Sequence, residues 1–313
     1  MAILNLFIFL IFMFFLIKSA DYATRYSSRL AKIFHLSEFV VSFFIVAVIS
    51  TFPEATISII SALKGIPELG LGTLLGSNVA DLALVFGIVA VVSIKGISIK
   101  SEILKKDLFY LALLLFPLLL GFDGHFSRID GALLVLAGIF FFFTLSIESK
   151  MFRKKFNNLK NPDLFKNFIL LVLSLVILLI SANYTIQFAV SFANDIRIPP
   201  VLIGLTILSI GSCLPELFFS IKAVKNNHDE LAIGDILGTV IIDTTIILGV
   251  IAIISPFYFK PILIYVTGAA MFIAGLLMVF FITSGKTLTR KEGVYLLLFY
   301  LLYLVIEIVI NNL

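Results

Sequence analysis

Ser50-Thr51-Phe52-Pro53-Glu54, with Gly72, Gly76-Ser77 and Asp81 downstream, is matched by Ser212-Cys213-Leu214-Pro215-Glu216, with Gly234, Gly238-Thr239 and Asp243 downstream. Every equivalent pair is separated by 162 positions. Both stretches lie in long apolar runs, so each places a proline, a glutamate and an aspartate where lipid-facing sequence would carry none. Repetition of so many costly residues at one offset indicates a duplicated unit. Duplicated halves meeting at broken, acid-bearing helices are how secondary transporters build an ion site near the bilayer midplane.

Apolar residues make up 61% of the chain and charged residues 13%, and the apolar runs reach the roughly 20 residues that a bilayer-spanning helix needs. The expected fold is an all-α integral membrane protein. The first apolar run, residues 2–17, follows Met1 with no basic residue before it. It is therefore expected to be a transmembrane helix and not a signal peptide, which needs a positive region ahead of a shorter apolar core. One cysteine, Cys213, excludes an internal disulfide, and His35, His125 and His228 fall in separate predicted loops. Neither a resident cofactor nor an enzymatic nucleophile–base pair is expected. The net charge of +4 is spread over loops, so nucleic acid is not an expected partner; lipid and small inorganic cations are.

Apolar runs predict about ten helices, near 2–17, 36–63, 68–93, 107–122, 130–147, 166–192, 198–224, 231–255, 258–283 and 292–310. The polar segment 148–166 divides them into five and five, giving a first repeat over 1–147, with its motif in 45–87. The second covers 167–313, with its motif in 207–249. Ala20-Asp21-Tyr22 and Ala182-Asn183-Tyr184, again 162 apart, carry the repeat back into the first helix of each half. Loops after odd-numbered helices hold 19 of the 23 basic residues, leaving Lys64, Arg128, Arg197 and Lys260 on the other side. Basic loops stay cytoplasmic, so a multi-pass cell-membrane protein with both termini outside and the central linker cytoplasmic is expected. Five helices per half then make the two repeats inverted.

A proline within a helix removes a backbone donor and crowds the carbonyl four residues earlier. Pro53 and Pro215 thereby free carbonyls near Ile49 and Ser50 and near Gly211 and Ser212, and at membrane depth freed carbonyls must find partners, such as a bound cation. Glu54 and Glu216 follow at once, and a buried carboxylate is costly unless something positive sits beside it. Ser50, Thr51 and Ser212 precede them by three or four residues, on the same helical face. Asp81 and Asp243 stand one turn beyond Ser77 and Thr239. Gly72-x-x-x-Gly76 and Gly234-x-x-x-Gly238 permit close approach of a second helix, bringing aspartates toward glutamates. An all-oxygen ligand set suits a hard cation such as calcium.

Taken together, the Pro-Glu after a hydroxyl run, the Gly-Ser or Gly-Thr and the following acid resemble the paired repeats of the sodium/calcium exchanger family within the cation/calcium antiporter superfamily. The resemblance covers nearly the whole chain. It implies a secondary active antiporter exchanging calcium for sodium by alternating access, with the first helix of each half as the sliding element. It further implies calcium or sodium binding by Glu54 and Glu216. Sodium ligands would come from Ser50, Thr51, Ser77, Ser212 and Thr239, with backbone carbonyls from Ala47 and Ser209.

The chain departs from that pattern at three positions. Ile49 stands where the motif usually has glycine, whereas Gly211 keeps it. Cys213 replaces a hydroxyl residue, and a thiol is a poor ligand for hard cations. Asp81 stands where many such exchangers carry asparagine. Proton-coupled exchange of a divalent cation on the same fold is therefore a second reading, since one calcium ion cancels only two of the four charges on Glu54, Asp81, Glu216 and Asp243. A cation channel is a weaker third, because pores are usually built by symmetry-related subunits. Glu307 is expected to reach the membrane interface, and Asn226-Asn227-His228-Asp229-Glu230 to form a solvated turn.

Overall fold

The computed structural model describes residues 2–34, 37–93, 95–98, 107–151, 164–195, 211, 213–262, 264–285 and 287–311. These residues are almost entirely helical. In chain order they form α1 (Ala2–Phe34), α2 (Glu38–Ser50), α3 (Phe52–Leu63), α4 (Pro67–Val92), α5 (Asp107–Leu120), α6 (Arg128–Met151), α7 (Leu164–Asp195), α8 (Leu214–Lys225), α9 (Asp229–Ile254), α10 (Ile264–Gly268 continuing as Ala269–Gly285) and α11 (Arg290–Asn311).

Among the described residues seven helices are long and apolar enough to span a membrane, or eight if α2 and α3 count as one bent span. The helix expected over 198–224 lies mostly outside the described residues, and α5, expected over 107–122, is a shorter apolar helix. The largest departure is α1, which was expected to stop at Ile17 and instead runs to Phe34. Its polar second half stays helical because Ala20, Ala23, Thr24, Ser27, Leu30 and Ala31 recur at helical spacing and are all buried. Tertiary packing of one face thus overrides the local fall in hydropathy.

The repeat extends to element boundaries. Adding 162 to the bounds of α3, Phe52–Leu63, gives those of α8, Leu214–Lys225. Adding it to α4 gives α9, and both helices contain a π-helical segment at the equivalent place, Ala80–Val85 and Ile242–Ile247. Even the α3–α4 and α8–α9 turns correspond: Gly65 (φ 76°) and Asn227 (φ 61°) both adopt the left-handed conformation, which those two residue types tolerate best.

α4 and α9 form the centre. Of their most apolar windows 72% and 83% is buried, against 17% for α1 and 22% for α6 and α11. The π segments carry Asp81 and Asp243, each in a stretch of wider helix that re-aims its side chains, as is common at functional positions. Packing crosses between the halves, with α4 on α11 and α9 on α6, while α1 and α7 pack chiefly on each other. Two short antiparallel pairs repeat the exchange: β1 (Ile97–Ser98) pairs with β4 (Thr287–Leu288), and β2 (His125–Phe126) with β3 (Phe257–Tyr258).

Candidate functional site

Thr51 and Cys213 stand at equivalent positions, each as the residue that precedes a helix carrying the Pro-Glu pair. α2 and α3 meet at 46°, because α3 restarts at Phe52 with Pro53 in its first turn. α8 likewise begins at Leu214 with Pro215 in its first turn. Proline is well placed at a helix start, where its missing N–H would be unpaired anyway. Glu54 and Glu216 consequently fall in the first turn of α3 and α8, at the end of the helix where the backbone dipole favours an anion.

The structure gathers the expected acids in the interior. Glu54, Asp81, Glu216 and Asp243 are each at most 2% exposed; Glu54 and Asp81 lie within electrostatic range of each other, and Glu216 and Asp243 each lie within range of both. Glu54 Oε2, Asp81 Oδ1 and both carboxylate oxygens of Glu216 and Asp243 have no hydrogen-bond partner among the described residues. The carboxylates do not by themselves make a compact ligand cage: no group of three or more His, Cys, Asp or Glu side chains among the described residues is placed to hold a metal ion. Any coordination shell must therefore draw on hydroxyls and carbonyls as well, as hard cations readily accept.

Four of the expected hydroxyls are hydrogen-bonded within and between these helices. Ser50 Oγ lies 3.2 Å from the Ala47 carbonyl oxygen and 3.2 Å from Thr239 Oγ1, so it bridges α2 to α9. Thr51 Oγ1 donates to the Val48 carbonyl (3.1 Å) and Ser77 Oγ to the Leu74 carbonyl (3.1 Å). The close approach anticipated at both glycine pairs is present at one: a Cβ on Gly234 would stand 2.5 Å from the Phe39 carbonyl oxygen and one on Gly238 2.5 Å from the Ala47 Cβ, whereas a Cβ on Gly72 or Gly76 would meet nothing within 4 Å among the described residues. Ser209 and Ser212 lie outside the described residues. Cys213 donates its thiol to the Ser77 carbonyl at 3.8 Å and also lies against the Asp81 carboxylate. It links the start of α8 to the Ser77–Asp81 face of α4.

Sequence reading missed two polar residues. Asp235 is fully buried on α9, and its Oδ1 accepts from Ser50 Oγ at 3.0 Å. Asn78, on α4, is also fully buried, with neither amide atom partnered among the described residues. Asp235 stands two turns before Asp243 and one before Thr239, a spacing that would have placed it on the acidic face. It escaped because its counterpart 162 positions earlier is Thr73, and that of Asn78 is Val240, so comparison of the two repeats passes over both.

The structure adds contacts at two secondary positions. The 226–230 turn is not merely solvated: His228 Nδ1 lies 2.9 Å from the Glu38 carboxylate, and Asp229 accepts the Ser98 N–H at 2.8 Å. Glu307 accepts a hydrogen bond from Thr267 at 3.2 Å, so it is held by α10.

The chain resembles known proteins over nearly its whole length. A family model described as "Sodium/calcium exchanger protein" matches residues 4–147 and 166–309. The sodium/calcium exchanger MaX1 of Methanosarcina acetivorans is 28% identical over 98% of this chain and 99% of its own length. An uncharacterized membrane protein of Methanocaldococcus jannaschii is 30% identical over 96% of the chain and 97% of its own. Among solved structures, the sodium-calcium exchanger NCX_Mj superposes with a TM-score of 0.84 at 27% identity, covering 96% of this chain and 98% of the other.

Proposed function

This chain belongs to the sodium/calcium exchanger protein family, and we propose that it exchanges calcium for sodium across a membrane by alternating access. In this reading the chain has ten membrane helices in two inverted repeats, with the linker cytoplasmic and both termini outside. Glu54 and Glu216 hold the divalent ion from opposite halves. Ser50, Thr51, Ser77, Ser212 and Thr239, with the carbonyls of Ala47 and Ser209, hold sodium.

The observation that carries the proposal is the pair of helix starts, Pro53-Glu54 and Pro215-Glu216, each setting a buried carboxylate at a helix N-terminus. In a medium of low effective dielectric constant, charges a few ångströms apart interact by several kcal/mol, so two carboxylates held apart by the fold favour calcium between them over water. Two or more sodium ions can supply the same charge through the hydroxyl positions. Competition for shared carboxylates then couples the two ions, because neither state leaves the acids uncompensated. The outer placement of α1 and α7, packed chiefly on each other, suits them to slide past the α4–α9 core and open the site to one side at a time.

Calcium uptake into proteoliposomes loaded with sodium tests this. Uptake should follow an outward sodium gradient and stop when sodium is absent from both sides. A second reading, calcium exchange for protons, is favoured by Asp81 and Asp243 both being carboxylates in the centre of the site. Uptake driven by a pH gradient alone, with sodium inert, would establish that reading instead.

A further inference from the structure

Asp235 has no counterpart in the first repeat. The equivalent Thr73 turns its hydroxyl back to the Leu69 carbonyl at 2.9 Å at an exposed position, whereas Asp235 is fully buried and directed at Ser50. Burying a carboxylate costs several kcal/mol unless it is compensated. A hydrogen bond from one serine offsets part of that cost, and among the described residues no basic side chain approaches Asp235. Its second oxygen, Oδ2, is buried with no partner among the described residues.

Four oxygens meet here. Around Ser50 Oγ lie Asp235 Oδ1 at 3.0 Å, Thr239 Oγ1 at 3.2 Å and the Ala47 carbonyl at 3.2 Å. Ser50 has one proton for three acceptors. If it donates that proton to Ala47, the lone pairs of Ser50 Oγ face Asp235 Oδ1 and Thr239 Oγ1 at 3.0 and 3.2 Å, and a cation beside Ser50 would satisfy them.

On the exchanger reading above, we propose that Asp235, with Ser50 and Thr239, forms a monovalent cation subsite that sets the affinity of this chain for sodium. One carboxylate matches one positive charge. A second divalent ion would need at least one more acid, and the other four carboxylates belong to the central position. Asp235 is thus a binding residue particular to the second half, and it makes the two ends of the site unequal toward sodium.

The test measures sodium-driven calcium exchange and calcium–calcium exchange in the same proteoliposomes for the parent and for Asp235→Asn. The amide keeps the shape and loses the charge. Half-saturating sodium should rise at least about tenfold, and half-saturating calcium by a much smaller factor. An equal rise in both, or no change in sodium, overturns the subsite. Failure of the exchanger reading looks different: the parent itself would then show no sodium-driven exchange. Should Asp235→Asn fail to fold, Asp235→Glu keeps the charge on a longer arm. It should support exchange with an altered preference between lithium and sodium, and an unaltered preference would overturn the proposal.

Discussion

Gly131 and Gly249 exclude a side chain from each other: a Cβ on either would stand 2.6 Å from the carbonyl oxygen of the other. The contact presses α6 onto α9, and its repeat counterpart, Gly87 with Gly293, presses α4 onto α11, with 2.9–3.0 Å between the same atoms. The obstacle is backbone, so rotamer changes cannot relieve it. Gly249→Ala should destabilise the protein by about 1–3 kcal/mol, the usual cost of overpacking, read as a lower melting temperature in detergent. An unchanged melting temperature would mean that α6 and α9 are not pressed together.

Gly65 makes the opposite case. Its φ of 76° is left-handed, but a Cβ there meets nothing within 4 Å, and Asn227 holds the equivalent turn at φ 61°. Gly65→Asn should therefore cost less than about 1 kcal/mol, whereas β-branched Gly65→Val should cost more because such a residue resists positive φ. Melting temperatures of the two variants should rank in that order, and the reverse order would contradict the turn geometry.

Much of this architecture was legible because the two halves annotate each other. Any feature that recurs at 162 residues, such as Pro53 with Pro215 or Asp81 with Asp243, stands out against a background of interchangeable apolar side chains. The same logic hides what is not duplicated. Asp235 and Asn78 went unread because their counterparts are Thr73 and Val240, and their burial depends on how α9 and α4 are turned within the bundle. The length of α1 was illegible for another reason: Lys18, Asp21 and Arg25 read as a loop when local hydropathy is averaged. Packing against α7, α8 and α2 keeps that stretch, with its buried Ala20, Ala23 and Leu30, helical.

Glu54→Gln and Glu216→Gln should each nearly abolish calcium transport in a protein that still folds, because the amide preserves shape while removing half the charge offered to the divalent ion. Removing one partner from a buried charged contact typically costs about 2–5 kcal/mol, or more than about 30-fold in affinity. Calcium flux close to that of the parent in either variant would place the divalent site elsewhere.

Asp81 decides between the sodium and proton readings. Five buried carboxylates now share the interior, and Asp81 lies beside Cys213 and within range of Glu54 and Asp235. If Asp81 carries a proton through the cycle, Asp81→Asn should leave sodium-driven calcium transport in place. It should also weaken inhibition by mild acid and reduce any uptake driven by a pH gradient. Identical pH profiles in the parent and the variant, with neither responding to a proton gradient, would exclude Asp81 as the proton carrier.

The inversion of the repeats can be read from one equivalent pair. Arg128 and Arg290 are the first residues of α6 and α11, separated by the repeat offset, and both are exposed. If the halves insert with opposite polarity, these residues lie on opposite faces of the membrane. In a Cys213→Ser background, Arg128→Cys should react with an impermeant thiol reagent only from outside, and Arg290→Cys only from the cytoplasmic side. Labelling of both from one side would make the repeats parallel. The helix starts at Pro53 and Pro215 would then enter the membrane from the same face, and exchange of roles between the halves could no longer move the ion site's opening from one side to the other.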